Sequence, residues 1–310
     1  MVLSVRKSYI NIPVGPHLAM KFDLLSRLHR FARLPLIALG FSSLFLSASA
    51  FATDISNDVG GRHEDGGYFE IGGSLLVTNQ IDIRETEHKD ISPLLLLSGV
   101  YQYKGAFVEM VHLSQDGVNL GYNFWNSEHW SIDFLAANIT GVWKKSDDDV
   151  DLSQLNEEQR DAYLMGDEDY FIGAGLRATR YWGDNYVFQL RAVSDYKDNM
   201  GFQSTARLGK SWQVKNWDLH ALGSVIYSSS KLVRNVYGVS SEEATTQFHQ
   251  YEPDDAFSYS FELGAAYPIS QNVVFRSTYR ITALSDEITD SPFSQADYNS
   301  LFNVSVSYVF

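Results

Sequence analysis

The chain ends Phe302-Asn303-Val304-Ser305-Val306-Ser307-Tyr308-Val309-Phe310, with large apolar side chains alternating with small or polar ones. In an extended strand successive side chains point to opposite faces. Phe302, Val304, Val306, Tyr308 and Phe310 therefore share one face, and Asn303, Ser305 and Ser307 share the other. An unbroken apolar and aromatic face backed by a polar one is the pattern of a strand with lipid on one side and a polar interior on the other.

A strand of this kind that stops on an aromatic residue resembles the closing strand of bacterial outer-membrane β-barrels. In those proteins it serves as an assembly signal, a part the resemblance gives to Tyr308 and Phe310. The front of the chain agrees with export. Lys21, Arg27, Arg30 and Arg33 precede an apolar run from Leu34 to Leu46, and small residues lead to Ala50-Phe51-Ala52. This is the order of a secretory signal peptide with an A-x-A site, so cleavage is expected after Ala52, with the mature chain starting at Thr53. The alternative, a retained membrane anchor, needs about 20 apolar residues, and the run is shorter than that. Residues 1–19 carry no such pattern, which makes Met20 the better start. On this reading residues 1–52 are extension and signal peptide, and residues 53–310 form one domain.

Composition narrows the class. The chain has no cysteine, which excludes a disulfide scaffold, a cysteine-ligated zinc site, a thiol nucleophile and a lipoprotein anchor. Six of the 24 basic and one of the 38 acidic residues precede Thr53, leaving 18 against 37 and a net charge of −19. Nucleic acid would be repelled by such a chain, so it is not expected as a partner.

Period-two alternation continues through the mature chain in twelve segments: 66–79, 91–104, 105–114, 117–125, 129–143, 168–182, 184–198, 200–213, 216–230, 256–269, 271–284 and 299–310. The second, third and fourth alternate less cleanly. With both termini in the periplasm, the inner turns fall at Lys104-Gly105, Asn126-Ser127-Glu128, Gly183-Asp184-Asn185, Val214-Lys215 and Ser270-Gln271-Asn272, all short. The long connections 80–91, 144–167, 231–255 and 285–298 all fall outside. An even strand count with short inner turns and long outer loops defines an all-β, transmembrane, antiparallel up-and-down barrel of about twelve strands. A soluble β-sandwich would show no such two-sided asymmetry. Tyr181, Trp182, Tyr186, Trp212 and Trp217 stand at strand ends, where aromatics form a girdle at the lipid interface.

The loop 144–169 is crowded with acid, including Asp147-Asp148-Asp149, Asp151, Glu157, Glu158 and Asp161. Divalent cations want several carboxylate oxygens, but the loop lacks the glycine turn and terminal Glu of a known calcium loop. A solvated hydrophilic loop is the simpler reading, and no metal or cofactor site is assigned. Asn156-Glu157-Glu158-Gln159 reads as a capping box opening a short helix to about Leu164, and Ser240-Ser241-Glu242-Glu243 gives the same signal in the next long loop.

The strand face assigned to the lumen carries Glu70, Glu109, Asp133 and Glu262 together with Arg177, Arg191, Arg207, Arg276 and Arg280. Two readings compete: a charge network that fills the barrel, and a narrow pore in which the arginines favour anions. Catalysis is set aside. The mature histidines are His63, His88, His112, His129, His220 and His249, and none stands in a nucleophile or metalloprotease motif. His220 points to the lumen as an ordinary polar side chain.

Three stretches carry a family resemblance: Tyr237-Gly238-Val239-Ser240-Ser241-Glu242-Glu243-Ala244, then Asp290-Ser291-Pro292, then the terminal Tyr308-Val309-Phe310. Together they resemble the MipA/OmpV (MltA-interacting protein) family of outer-membrane proteins of Gram-negative bacteria. The chain departs from that pattern in having Tyr-Gly-Val with no residue interposed, and in the acidity of loop 144–169. The resemblance implies an outer-membrane location and a scaffolding role between a lytic transglycosylase and a peptidoglycan synthase. Other members look like surface antigens or adhesins, so contacts through the acidic outer loops form a further alternative, beside the solute pore. Membership of the class also implies contact with lipid and lipopolysaccharide, and passage through the secretion and barrel-assembly machineries.

Overall fold

The computed structural model describes residues 65–310, apart from 87, 147–149 and 184. The signal peptide, its cleavage site, the start at Met20, residues 53–64 and the Asp147–Asp149 run lie outside the described residues.

Twelve strands form a closed barrel, each antiparallel to both neighbours. They are β1 (Gly66–Thr78), β2 (Ile91–Tyr103), β3 (Ala106–Met110), β4 (Val118–Asn126), β5 (Trp130–Lys144) and β6 (Asp167–Trp182). After these come β7 (Tyr186–Asp195), β8 (Phe202–Val214), β9 (Trp217–Ser228), β10 (Ala256–Pro268), β11 (Val273–Ala283) and β12 (Tyr298–Val309). The last strand closes on the first, in register from Glu70 opposite Val309 to Thr78 opposite Leu301.

Burial is inverted relative to a soluble protein. Leu95, Ile91 and Tyr259 are 68%, 62% and 59% exposed, whereas Arg177 and Glu262 are 1% and 3% exposed. On β12, Phe302, Val306 and Tyr308 are exposed while Asn303, Ser305 and Ser307 are buried. Such an arrangement is stable only where the outer solvent is hydrocarbon. Every strand has two neighbours, but because β3 and β4 are short, β2 before Gly99 and β5 beyond Ile139 are paired on one side only. No helix among the described residues is long and apolar enough to cross a membrane.

The periplasmic turns are tight. Lys104 and Gly105 both have positive φ (49° and 86°), as a two-residue hairpin with the right twist requires. Lys215 repeats the device at the β8–β9 turn, with φ of 57°.

At the other end the long connections build a cap. Helix α1 (Glu157–Met165) opens on Asn156, whose side chain and that of Gln159 form the reciprocal capping box. Helix α2 (Ser230–Tyr237) follows β9, and the short α3 (Asp286–Thr289) precedes β12. Leu164, Val239, Phe248 and Phe293, contributed by three different loops, form a buried core joined by Ile83 from a fourth. The second capping signal behaves differently from the first. The Ser240 N–H donates to Glu243 Oε2 at 2.7 Å and the Glu243 N–H to Ser240 Oγ at 3.4 Å, yet only a turn forms. Beyond Ala244 the chain turns back to bury Phe248 and to bridge Val239 with Tyr251, and this tertiary demand stops helix growth.

Two further expectations are corrected. Strand β3 ends at Met110 rather than near residue 114, and residues 111–117 leave the sheet. Tyr181 does not join the girdle: it packs against the buried Val187 and Leu222 on the interior side. Its neighbour Trp182 takes the lipid-facing position, since adjacent residues in a strand cannot share a face.

Candidate functional site

The interior is built from alternate residues of nearly every strand. On one side, Arg177 of β6 donates from Nε to Asp133 of β5 at 2.8 Å. Its two Nη atoms bind Glu109 of β3 at 2.6 and 2.8 Å, and its guanidinium lies 5.1 Å from the ring centre of Phe107. Arg276 of β11 grips Glu70 of β1 with two bonds of 2.8 Å and also reaches Ser307 at 2.9 Å. Arg280 donates from Nε to Glu262 at 2.6 Å, and the other oxygen of that carboxylate lies 3.2 Å from His220 Nε2. These forked pairs are the strong form of charge-assisted hydrogen bond.

Arg191 and Arg207 find their carboxylate on a strap. Residues 111–117, between β3 and β4, turn into the barrel with Leu113 and Gly117 at positive φ (58° and 65°). Asp116 is 2% exposed and accepts from both Nη atoms of Arg207 at 2.5 and 2.6 Å. Arg191 Nε lies 3.1 Å from the same carboxylate, and Arg191 also donates to Asn138 and Gln203 at 2.7 Å each. The Asp116 carbonyl accepts from Asn138, and the Leu113 carbonyl from Arg280 at 2.9 Å. His112 Nε2 meets Ser74 Oγ at 3.0 Å. The strap is thus tied to β1, β5, β7, β8 and β11 and crosses the lumen.

Every arginine named in the lumen therefore has a carboxylate: Glu70, Glu109, Asp116, Asp133 and Glu262 stand against Arg177, Arg191, Arg207, Arg276 and Arg280. Sequence reasoning listed four of these acids and missed Asp116, although five arginines set against four carboxylates signalled a missing partner. Beside the strap is a cavity of about 60 Å³, lined among others by Glu70, His112, Gln115, Glu262, Arg276 and Arg280. That is room for a few water molecules. Toward the outer mouth the lumen is filled by apolar packing, where Leu232 and Val236 of α2 meet Leu135, Phe171 and Val193.

Ser74 and His112 supply two members of a hydrolase-like arrangement, but no carboxylate contacts the His112 ring among the described residues, and the pair is part-buried on the lumenal side. Acylation chemistry needs the base oriented by a third group and the nucleophile accessible to substrate. No group of three or more potential metal ligands is found among the described residues. Tyr308 and Phe310 are exposed on the outer face with ring centres 4.8 Å apart, and Phe69 lies 6.0 Å from Phe310.

In the cap, Arg84 holds Asp82 through Nε at 2.9 Å and Nη2 at 2.6 Å, and lies 4.2 Å over the Phe293 ring. Lys145 donates to both oxygens of Glu243 at 2.7 and 2.8 Å. Burial would raise the Glu243 carboxyl, but hydrogen bonds from Lys145 and from the Ser240 N–H outweigh it and hold the group below its ordinary value.

A closed antiparallel barrel with an apolar, aromatic-banded outer face, a charged interior and short turns at one end defines an outer-membrane β-barrel protein. Within that class the chain belongs to the MipA family: the family model described as MltA-interacting protein MipA matches residues 71–310. The MltA-interacting protein of Escherichia coli K12 is 28% identical over 207 residues, covering 63% of this chain and 75% of that one. Outer membrane protein Omp26La of Vibrio anguillarum is 25% identical, covering 86% of this chain and 98% of its own. The putative outer membrane protein YiaT of Escherichia coli K12 is 26% identical over 62% of this chain and 74% of its own. Among solved structures, the CymD monoaromatic hydrocarbon channel aligns over 84% of this chain and 94% of its own, at 11% identity and a TM-score of 0.40. Nothing about activity follows from a likeness that distant.

Proposed function

We infer that this protein is a non-conducting outer-membrane anchor that holds a murein-processing enzyme at the periplasmic face. The observation that carries the reading is the strap. Asp116 ties residues 111–117 to Arg191 and Arg207 across the lumen, while the lumenal arginines are matched by carboxylates and present no unpaired positive lining to a solute. An anion-selective pore needs the opposite, a water-filled path with uncompensated charge.

The partner's class comes from the family. A relative 28% identical is called MltA-interacting protein, which supports a lytic transglycosylase as the bound enzyme. The peptidoglycan synthase implied by the family resemblance is then a second partner of the same scaffold. The inner turns offer little surface, so the docking segment is assigned to residues 53–67 together with the inner rim. Tyr308 and Phe310 act in assembly.

The test is direct binding. The mature chain in detergent or nanodiscs is immobilised, and the lytic transglycosylase of the same organism is passed over it, with and without residues 53–64. Saturable binding that weakens when the segment is removed supports the anchor, and no binding to the intact chain overturns it.

A further inference from the structure

The lipid-facing positions of the strands are almost free of charge, with an exception at the periplasmic end of β6 and β8. Arg180 and Lys210 both point outward there, and neither has a carboxylate partner among the described residues. Each lies on aromatic rings instead. The Arg180 guanidinium is 5.4 Å from the ring centre of Trp130 and 5.9 Å from that of Trp182. Lys210 Nζ is 4.3 Å from the Tyr186 ring centre and donates to its hydroxyl at 3.0 Å. Trp182 and Tyr186 stack between them, 5.7 Å apart with an interplanar angle of 15°. Register explains the grouping. Trp130 stands opposite Arg180, Trp182 opposite Tyr186, and Tyr186 opposite Lys210, so five residues from four adjacent strands make one tray.

Five cations of the outer loops and strand ends are treated differently. At the extracellular end Arg84, Lys144, Lys145, Lys197 and Arg234 each lie within 4.0 Å of a carboxylate. A cation exposed toward lipid is tolerable only near the interface, the depth at which Trp and Tyr also settle. The groups available at that depth are lipid headgroups. A guanidinium fork matches a phosphate in two bonds, and an ammonium adds a point charge.

We propose that Trp130, Arg180, Trp182, Tyr186 and Lys210 form a binding site for the headgroup phosphate of an anionic phospholipid in the periplasmic leaflet. The aromatic rings hold the two cations at headgroup depth and pack against the glycerol and upper acyl carbons. The phosphate takes the hydrogen-bond donors that no carboxylate among the described residues occupies. The site lies on the outer wall, so it is independent of whether the lumen conducts or a periplasmic enzyme docks.

The experiment uses the mature chain, reconstituted from equimolar phosphatidylglycerol and phosphatidylethanolamine and analysed by native mass spectrometry for retained lipid. Wild type is expected to retain phosphatidylglycerol in at least about fivefold preference, falling as ionic strength rises. The double variant Arg180→Gln/Lys210→Gln should bring the ratio close to one while keeping the heat-dependent gel shift of a folded barrel. A control, Lys104→Gln/Lys215→Gln, removes two cations from inner turns and should leave the preference in place. No preference in wild type, an unchanged ratio in the tray variant, or an equal loss in the control would each overturn the site. Should the double variant not fold, Arg180→Lys, which keeps charge but loses the fork, provides the second reading: a reduced preference supports the site and an unchanged one counts against it.

Discussion

At the extracellular end, four long connections pack Leu164, Val239, Phe248, Phe293 and Ile83 into a core of their own, and five cations there are matched to carboxylates. The periplasmic end joins its strands by turns of two to four residues, and leaves the side chains of Lys104, Arg180, Lys210 and Lys215 without carboxylate partners among the described residues. The difference teaches where each end takes its order from. The outer end is a small folded unit, stabilised like any core by burial and internal ion pairs. The inner end is ordered by the strands themselves and, on the proposals made above, by lipid headgroups and a periplasmic partner. Between them the lumen is crossed by one strap.

The largest expected effect comes from breaking that strap. Asp116→Asn leaves Arg191 and Arg207 buried without their carboxylate, and unpairing a buried ion costs about 3–5 kcal/mol. Denaturant unfolding followed by tryptophan fluorescence should register that loss. Adding Arg207→Gln should recover part of it, because the excess charge is then removed as well.

A comparable ion pair at the outer end should behave locally. Arg84→Gln strands Asp82 and removes the stack on Phe293, with a cost of about 3 kcal/mol borne by the cap. Proteolysis of the outer loops should quicken while the barrel keeps its heat-dependent gel shift. Loss of the barrel itself would mean that the two regions are one cooperative unit.

Smaller still is the effect of acid. The folded Glu243 carboxyl titrates below its ordinary value of 4.5, because hydrogen bonds from Lys145 and Ser240 overcome the effect of burial. A depressed carboxyl contributes its stabilisation above the unfolded value and loses it as pH falls through the folded one. Amide exchange in the outer loops, corrected for the intrinsic rate, should therefore rise as pH drops below the ordinary carboxyl value of 4.5. Glu243→Gln should flatten that dependence. At the inner end, Phe310→Ala removes contacts with Tyr308 and Phe69 and should cost only about 1 kcal/mol in unfolding, while lowering the yield of assembled barrel.

Most of the barrel was legible because period two is a direct trace of a sheet with two unlike solvents. Leu176 and Arg177, adjacent in β6, face lipid and lumen as their chemistry requires. The strap escaped for the same reason. Val111-His112-Leu113-Ser114 alternates as a strand would, and nothing local shows that Asp116 is needed inside by arginines on β7 and β8. Tyr181 was misplaced because composition at a strand end suggests a girdle, whereas parity decides which aromatic reaches it. The Ser74–His112 contact spans 38 residues and carries no local signal. Capping chemistry was legible at Asn156 and also at Ser240, but only at Asn156 did the following residues remain free to continue the helix.

The most direct test of a closed anchor is single-channel recording of the mature chain, from Thr53 onward, in planar bilayers. The account predicts a folded barrel that inserts and passes no resolved current, with steps emerging only when Asp116 is replaced. Stable, ion-selective steps from the wild-type chain would contradict it, and would show that the strap leaves the lumen in the membrane.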